Sequence, residues 1–432
     1  MTVRRTPLGE VAADLRTGER DVADYVAELY ERVDALESDV RAWVGGPKPR
    51  EQVAAEAAAV AERYPEPENR PPLYGVPVGV KDIFHVDGLP TRAGSTLPPG
   101  ELVGRQAAVV TSLRAAGALV LGKTVTTEFA YFDPGPTRNP HDLSHTPGGS
   151  SSGSAAAVAA GTCPLALGTQ TIGSVIRPAT FCGVVGYKPS YGRIPLDGVL
   201  PLAASVDHVG LFTQDVAGME LAASVCVDDW EPSTGDERPV LGVPEGEYLA
   251  QVSETGLDRF EDHVDALERA GFEIRRTVAF DDIQAVNDRH DGLVAAEAAL
   301  AHHERFDEYS DRYADSTAEL IRDGRAVSVE ALADARRNRV RLRTSLAETM
   351  RERGIDAWIA PGAPGPAPAG IDSTGDPVMN LPWTHAGLPV VAVPAGDVDG
   401  LPVGVQCVAG FGADERLLAW AEPIANALAD AS

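Results

Sequence analysis

The sequence predicts an α/β layered fold built on a largely parallel or mixed sheet. The first observation behind this is a helix–glycine–strand unit that occurs twice. Residues 107–116 have helical character and stop at Gly117, ahead of the short apolar strand Ala118-Leu119-Val120-Leu121. Residues 257–270 carry Leu257, Phe260, Val264 and Leu267 on one face and stop at Gly271, ahead of Phe272-Glu273-Ile274. Alternation of this kind is the pattern of helices layered on a sheet. The second observation is size: 432 residues, 44% of them apolar, can bury a sizeable core as one large domain with an insertion or as two domains.

Along the chain, residues 7–45 and 50–64 read as helices, with Val22, Tyr25, Val26, Leu29 and Val33 recurring at three- and four-residue spacing. Residues 73–80 form an apolar run punctuated by Gly and Pro, the pattern of a buried strand leading to Lys81. Residues 154–160 are strong helix formers that end at Gly161, so the serines beside them sit at a helix N-terminus with free N–H groups. Residues 281–350 are polar, helical and rich in Arg, Asp and Glu, and a Pro/Gly-rich loop follows over 361–370. The 230–350 stretch reads as a more solvent-exposed portion of the same domain. Buried-strand character returns at 390–394 and 403–408, and a helix over 414–429 closes the chain.

Charge limits the partners. Lys+Arg is 37 against Asp+Glu 64, a formal net charge of −27, and such a field repels nucleic acid and anionic membranes. The chain has four lysines, Lys48, Lys81, Lys123 and Lys188, and its other basic residues are arginines. Acidity with few lysines suggests a halophilic protein kept soluble at high salt, the alternative being the codon usage of a GC-rich genome. The four cysteines, Cys163, Cys182, Cys226 and Cys407, lie far apart among apolar neighbours and read as buried free thiols of a cytoplasmic protein. Met1-Thr2-Val3-Arg4-Arg5 leads into no apolar stretch of signal-peptide length, and no run approaches 18 apolar residues, so no membrane span is expected.

Two serine-rich, glycine-flanked segments carry the chemistry. They are Pro147-Gly148-Gly149-Ser150-Ser151-Ser152-Gly153-Ser154 and Gly168-Thr169-Gln170-Thr171-Ile172-Gly173-Ser174, with Lys81 upstream in Gly75-Val76-Pro77-Val78-Gly79-Val80-Lys81-Asp82. A serine becomes nucleophilic without histidine when a neutral lysine and a relaying hydroxyl stand close by. Cleaving an amide further needs donors for the tetrahedral oxyanion and a proton for the leaving nitrogen. Small residues around Ser174 let backbone N–H groups approach a carbonyl oxygen, Ser150 can relay protons, and burial among Val78, Val80 and Ile83 can hold Lys81 neutral.

These segments, followed by Phe181-Cys182-Gly183-Val184-Val185-Gly186-Tyr187-Lys188-Pro189-Ser190, closely resemble the amidase signature family. Gly75–Asp82 looks like its GxPxxVKD, residues 123–130 like its KTNxxEFA, and Arg138-Asn139-Pro140 like its xNP. Downstream, the segments from Asn380 to Pro389 and from Gly400 to Gln406 are similar to two further family patterns, and the match covers about residues 8–429. The resemblance implies an α/β/α sandwich around one large mixed, mostly parallel β-sheet. It implies a single domain over 1–432, with N-terminal helices (1–65), a catalytic core (73–225), a more variable helical region (230–350) and a C-terminal return to the core sheet (355–432). It implies a Ser-cisSer-Lys triad: Ser174 the acylated nucleophile, Ser150 the bridging serine after a cis peptide bond, and Lys81 the base. The oxyanion hole would be the backbone N–H groups of Thr171, Ile172, Gly173 and Ser174. The expected reaction is hydrolysis of a small-molecule carboxylic amide to acid plus ammonia or amine, without metal or cofactor. Homodimers are common among such enzymes, so a homodimer stays open here. The alternatives are a glutamine-hydrolysing subunit of a tRNA-dependent amidotransferase and a non-catalytic binding relative.

The chain departs from the pattern at four places. Gln170 stands where the family has Asp, Ile172 replaces a glycine, Ser152 replaces another, and Arg177 comes three residues after Ser174 rather than two. A Cβ at Ile172 requires negative φ, and its bulk narrows the acyl pocket. Phe129, Tyr131 and Ser151 are the candidate substrate contacts, with residues 125–135, 172 and 280–390 as the pocket; no charge pattern in those segments dictates a ligand. His85 is a further candidate for the pocket wall. Gly149-Ser150-Ser151-Ser152-Gly153 formally matches a nucleophile elbow, but a polar loop precedes it where that elbow needs a buried strand. His302 and His303 are adjacent on a helix and point apart, which disfavours a metal site.

Overall fold

The computed structural model describes residues 6–233 and 238–430; Met1–Arg5, and the part of the 230–350 stretch at 234–237, lie outside them. The helical stretch expected over 7–45 divides into α1 (Leu8–Thr17) and α2 (Val22–Val40). Gly18 stops α1 in the left-handed conformation at φ 84°, and Asp21 restarts the chain by accepting the N–H groups of Ala23 and Asp24. Next come α3 (Arg50–Arg63), β1 (Pro77–Lys81), α4 (Ala108–Ala115), β2 (Leu119–Thr124), α5 (Ser152–Ala159), β3 (Leu165–Gln170), α6 (Ile176–Cys182), β4 (Val185–Lys188), β5 (His208–Thr213) and α7 (Val216–Cys226). The second half holds β6 (Leu241–Glu245), α8 (Glu254–Arg269), β7 (Ile274–Val278), α9 (Ile283–Tyr309), α10 (Asp315–Ala326) and α11 (Val329–Arg353). It closes with β8 (Ala357–Pro361), α12 (Leu381–Ala386), β9 (Val390–Val398), β10 (Leu401–Ala409) and α13 (Asp414–Ala429).

All ten strands form one sheet in the order β2-β1-β3-β5-β4-β9-β10-β8-β6-β7, with helices on both sides. The sheet is mixed but not mostly parallel, which corrects the expectation. Parallel pairing is confined to β2-β1-β3 at one end and β8-β6-β7 at the other. The five pairings between β3 and β8 are antiparallel. Connection length accounts for part of this: the hairpin from β9 to β10 leaves room only for an antiparallel return, whereas α4 and α8 supply crossovers long enough for parallel pairing.

Helix α5 lies in the interior, all eight of its residues buried. Its Ser-Gly-Ser-Ala-Ala-Ala-Val-Ala sequence has no polar stripe to show to solvent, so full burial is the stable outcome. Small side chains let it sit against β1, β2 and β3. Among the described residues no helix is long and apolar enough to cross a membrane.

Candidate active site

Strands β1, β2 and β3 run parallel, so their carboxyl ends meet at one edge of the sheet, where open α/β folds place ligands. Lys81 is the last residue of β1, in register with Thr124 at the end of β2, and Val80 is in register with Leu167 of β3. Lys81 is 0% exposed. Its Nζ lies 2.7 Å from Ser150 Oγ and 2.7 Å from Thr169 Oγ1. Burial pushes the Lys81 ammonium well below the usual lysine range, and the opposing pull of Asp207 does not undo it.

Ser150 follows a cis Gly149–Ser150 peptide bond, as the resemblance implies. Its carbonyl accepts the Thr127 N–H at 3.2 Å. Ser174 lies in the turn between β3 and α6, 7% exposed. The structure joins Lys81 to Ser150 but does not join Ser174 to either by a hydrogen bond. Arg177 instead ties the two serine segments together: its Nη2 donates to Gly149 O at 2.8 Å and to Thr374 Oγ1 at 3.1 Å, and its Nη1 to Gly375 O at 2.8 Å. The shifted arginine therefore grips backbone carbonyls of two loops.

Gln170 anchors the nucleophile turn. Its Oε1 accepts the N–H groups of Val175 and Ile176 at 2.8 and 3.0 Å, and its Nε2 donates to Thr384 Oγ1 at 2.8 Å. Thr384 in turn donates to Ile172 O at 2.7 Å. An amide performs both acts, accepting and donating, where a carboxylate would only accept. On the other side, Thr171 Oγ1 donates to Asp207 Oδ1 at 2.6 Å, and Asp207 Oδ2 accepts from Leu202 and Ala203 N–H. Thr171 O also meets His290 Nε2 at 3.1 Å, and His290 Nδ1 meets His385 Nδ1 at 3.2 Å. Burial lowers both imidazoles, His290 to about 3 and His385 to about 2, so the pair is neutral.

Ile172 has negative φ, as its Cβ requires. Gly173 is needed for close approach: a Cβ there would stand 2.5 Å from Asn380 Oδ1 and 2.8 Å from Pro377 Cβ. Among the described residues, the N–H groups of Ile172, Gly173 and Ser174 donate to no protein acceptor.

Ile172 and Pro377 form part of the wall of a cavity of about 640 Å³, which α9, α10 and the loop before α12 complete. Of the candidate substrate contacts, Tyr131 lines it, and Phe129 and Ser151 lie elsewhere. Phe129 stacks on Tyr313 at 5.2 Å in the core, and Ser151 is 0% exposed with its hydroxyl on Thr169 O and N. His85 turns to Thr91 Oγ1 at 3.1 Å instead of to Lys81. His302 is buried against Tyr313, while His303 faces outward, as adjacent helical positions dictate. All four cysteines are buried free thiols.

Thr169, Asp207, Thr384 and the His290–His385 pair are site residues that sequence reasoning missed. Thr169 sits inside a quoted motif and could have been found there. Thr384 and His385 likewise sit inside the Asn380–Pro389 segment; Asp207 and His290 have no local signature, and only the fold brings them to the turn.

A family model described as Amidase matches residues 24–418. The chain is 30% identical to a glutamyl-tRNA(Gln) amidotransferase subunit of Lysinibacillus sphaericus (strain C3-41), over 95% of this chain and 94% of that one. It is 33% identical to a 1-carboxybiuret hydrolase subunit of Pseudomonas sp. (strain ADP), over 93% and 94%. A crystal structure of an amidase superposes with TM-score 0.89 at 34% identity, covering 97% of this chain and 99% of that one. The peptide amidase of Stenotrophomonas maltophilia does so with TM-score 0.84 at 26% identity, covering 98% and 96%. The chain therefore belongs to the amidase signature family, hydrolases of C–N amide bonds.

Proposed function

We propose that this enzyme hydrolyses a small carboxylic amide through an acyl-serine intermediate on Ser174. The observation that carries the reading is the buried Lys81 amine, whose charged form burial disfavours, 2.7 Å from the Ser150 hydroxyl. Ser174 Oγ attacks the carbonyl carbon, and its proton passes through Ser150 Oγ to Lys81 Nζ. The N–H groups of Thr171, Ile172, Gly173 and Ser174 take the charge that develops on the carbonyl oxygen. Lys81 then returns the proton through Ser150 to the amide nitrogen, the C–N bond breaks, and ammonia or amine leaves. Water attacks the ester carbonyl by the same proton path in reverse, releasing the acid and restoring Ser174. Nucleophile, relay and base are all side chains, so this route requires no cofactor. Ser174→Ala is expected to lower kcat by ~10³-fold or more. A phosphonofluoridate is expected to add to Ser174 alone, read by peptide mass spectrometry; turnover undiminished in Ser174→Ala would falsify the mechanism.

The amidotransferase relatives support a second reading, in which the chain hydrolyses glutamine within a multi-subunit complex. Gln170, Ile172 and the shifted Arg177 speak against it, and among the described residues no Lys or Arg lines the cavity to receive glutamine's carboxylate. Hydrolysis of simple amides by the purified chain, without co-purifying subunits, decides for the first reading. We take residues 1–432 as one domain, because a single sheet runs from Pro77 to Ala409. The four free thiols support a cytoplasmic setting and the −27 charge a halophilic one. A homodimer is the assembly we propose, read by light scattering.

A further inference from the structure

The cavity beside the nucleophile turn has one sign of charge. Asp291 of α9, Glu319 and Asp323 of α10, and Asp376 of the loop before α12 all line it, and among the described residues no Lys, Arg or His does. None of the four carboxylates forms an ion pair among the described residues. Arg177, the cation that feels Asp376, is buried, with its guanidinium bonded to Gly149 O, Gly375 O and Thr374 Oγ1. Glu319 and Asp323 stand four apart on one helix face, a like-charged spacing that disfavours the helix.

Independent features of the wall point to the same kind of ligand. Asn287 is 8% exposed and lines the cavity; its Nδ2 donates to Gln251 Oε1 at 3.1 Å, and its Oδ1 is buried with no hydrogen-bond partner. Tyr131 and Phe132 present two aromatic rings, centroids 4.5 Å apart, beside the carboxylates, a surface that attracts cations. The Tyr131 hydroxyl is pushed up to about 12 by burial and then by Asp291, Glu319 and Asp323, so three of the acids act on that one wall residue. Burial, with Asp288 and Asp376 adding to it, raises Asp291 to about 6, so a bound cation would relieve that repulsion.

We propose that this cavity receives a positively charged part of the substrate, so that the amides the enzyme prefers carry an ammonium or guanidinium group. The proposal rests on the reading of Ser174 as nucleophile, since Ile172 and Pro377 place the cavity against that turn.

Three benzamides of matched shape test it: 4-(aminomethyl)benzamide, 4-ethylbenzamide and 4-(carboxymethyl)benzamide. With the full chain at low salt, kcat/KM is expected to fall in that order, the cation leading the neutral amide by ~10-fold or more. The lead is expected to shrink near ~1 M KCl, where screening acts within ~3 Å. Combining Asp291→Asn, Glu319→Gln, Asp323→Asn and Asp376→Asn is expected to erase the lead of the cation over the neutral amide. Equal kcat/KM for those two amides in the unaltered chain, or a lead for the anion, overturns the proposal. Equilibrium binding of the same three amides to Ser174→Ala reads the charge order without turnover and without the fourfold variant. There, parity, reversal, or no binding of the cation at millimolar concentration overturns it, and the order cation, neutral, anion upholds it. The two readings fail separately: turnover by Ser174→Ala removes the nucleophile and leaves the charge order measurable.

Discussion

Lys81 is costly to the fold as well as useful to the site. A buried lysine whose ammonium is disfavoured must shed a proton that the unfolded chain keeps, so the unfolded state binds more protons from the lowered value up to the ordinary lysine range. Stability therefore rises with pH across that window. Lys81→Met, similar in length and apolar, is expected to abolish turnover yet raise Tm at pH 7, with the gain shrinking as pH approaches that of free lysine. A calorimetric pH series checks it, and a Tm loss at every pH would contradict the neutral amine. In the unaltered enzyme kcat/KM is expected to fall on the acid side as Lys81 gains its proton, with Asp207 the opposing charge. Ile172 carries a separate prediction. Its side chain walls the cavity, so Ile172→Ala is expected to raise kcat/KM for amides with bulkier acyl groups over small ones, measured on a graded acyl series. Lys81, Ser150 and Ser174 were legible as residues because each sits in a distinctive glycine-rich context. Thr169, the second hydroxyl on Lys81, was not singled out because threonine at the end of a strand has many plain uses.

At the scale of elements, the turn from β3 to α6 is held by side chains that come from far along the chain. Gln170 lies at its start, Asp207 precedes β5, His290 is on α9 and Thr384 is on α12. Gln170→Ala leaves two buried N–H groups without an acceptor, at about 1–3 kcal/mol each. It is expected to lower Tm by several degrees and to reduce kcat/KM by ~10²-fold as Ser174 shifts. Unchanged kcat/KM in a folded Gln170→Ala would show that the turn keeps its shape without the anchor. The helices α4 and α8 were legible because each has an amphipathic face and a glycine just past its end, and α13 from its amphipathic face alone. Strands β3, β4 and β5 were not picked out, since short, fully buried runs such as Leu165–Gln170 carry no period-2 alternation to mark them. The division of α1 from α2 was missed although Gly18 and Asp21 are a stop and a start in sequence.

At the scale of the molecule, the −27 charge is a field that salt should quiet. Raising KCl toward ~1 M, where charges screen within ~3 Å, is expected to raise Tm by reducing self-repulsion. A Tm that falls with KCl would contradict the high-salt reading. The sequence by itself determined the α/β class, the residues of the glycine–serine segments and the overall acidity, because each is written in neighbouring residues or in simple composition. Only the tertiary structure decided that the middle of the sheet is antiparallel, that Gln170 serves as an anchor, and that Asp291, Glu319, Asp323 and Asp376 share one cavity. Those carboxylates come from two helices and a loop, and one-dimensional spacing holds no record of which distant segments will meet. Strand order and helix packing set that meeting, through contacts between residues far apart in the chain.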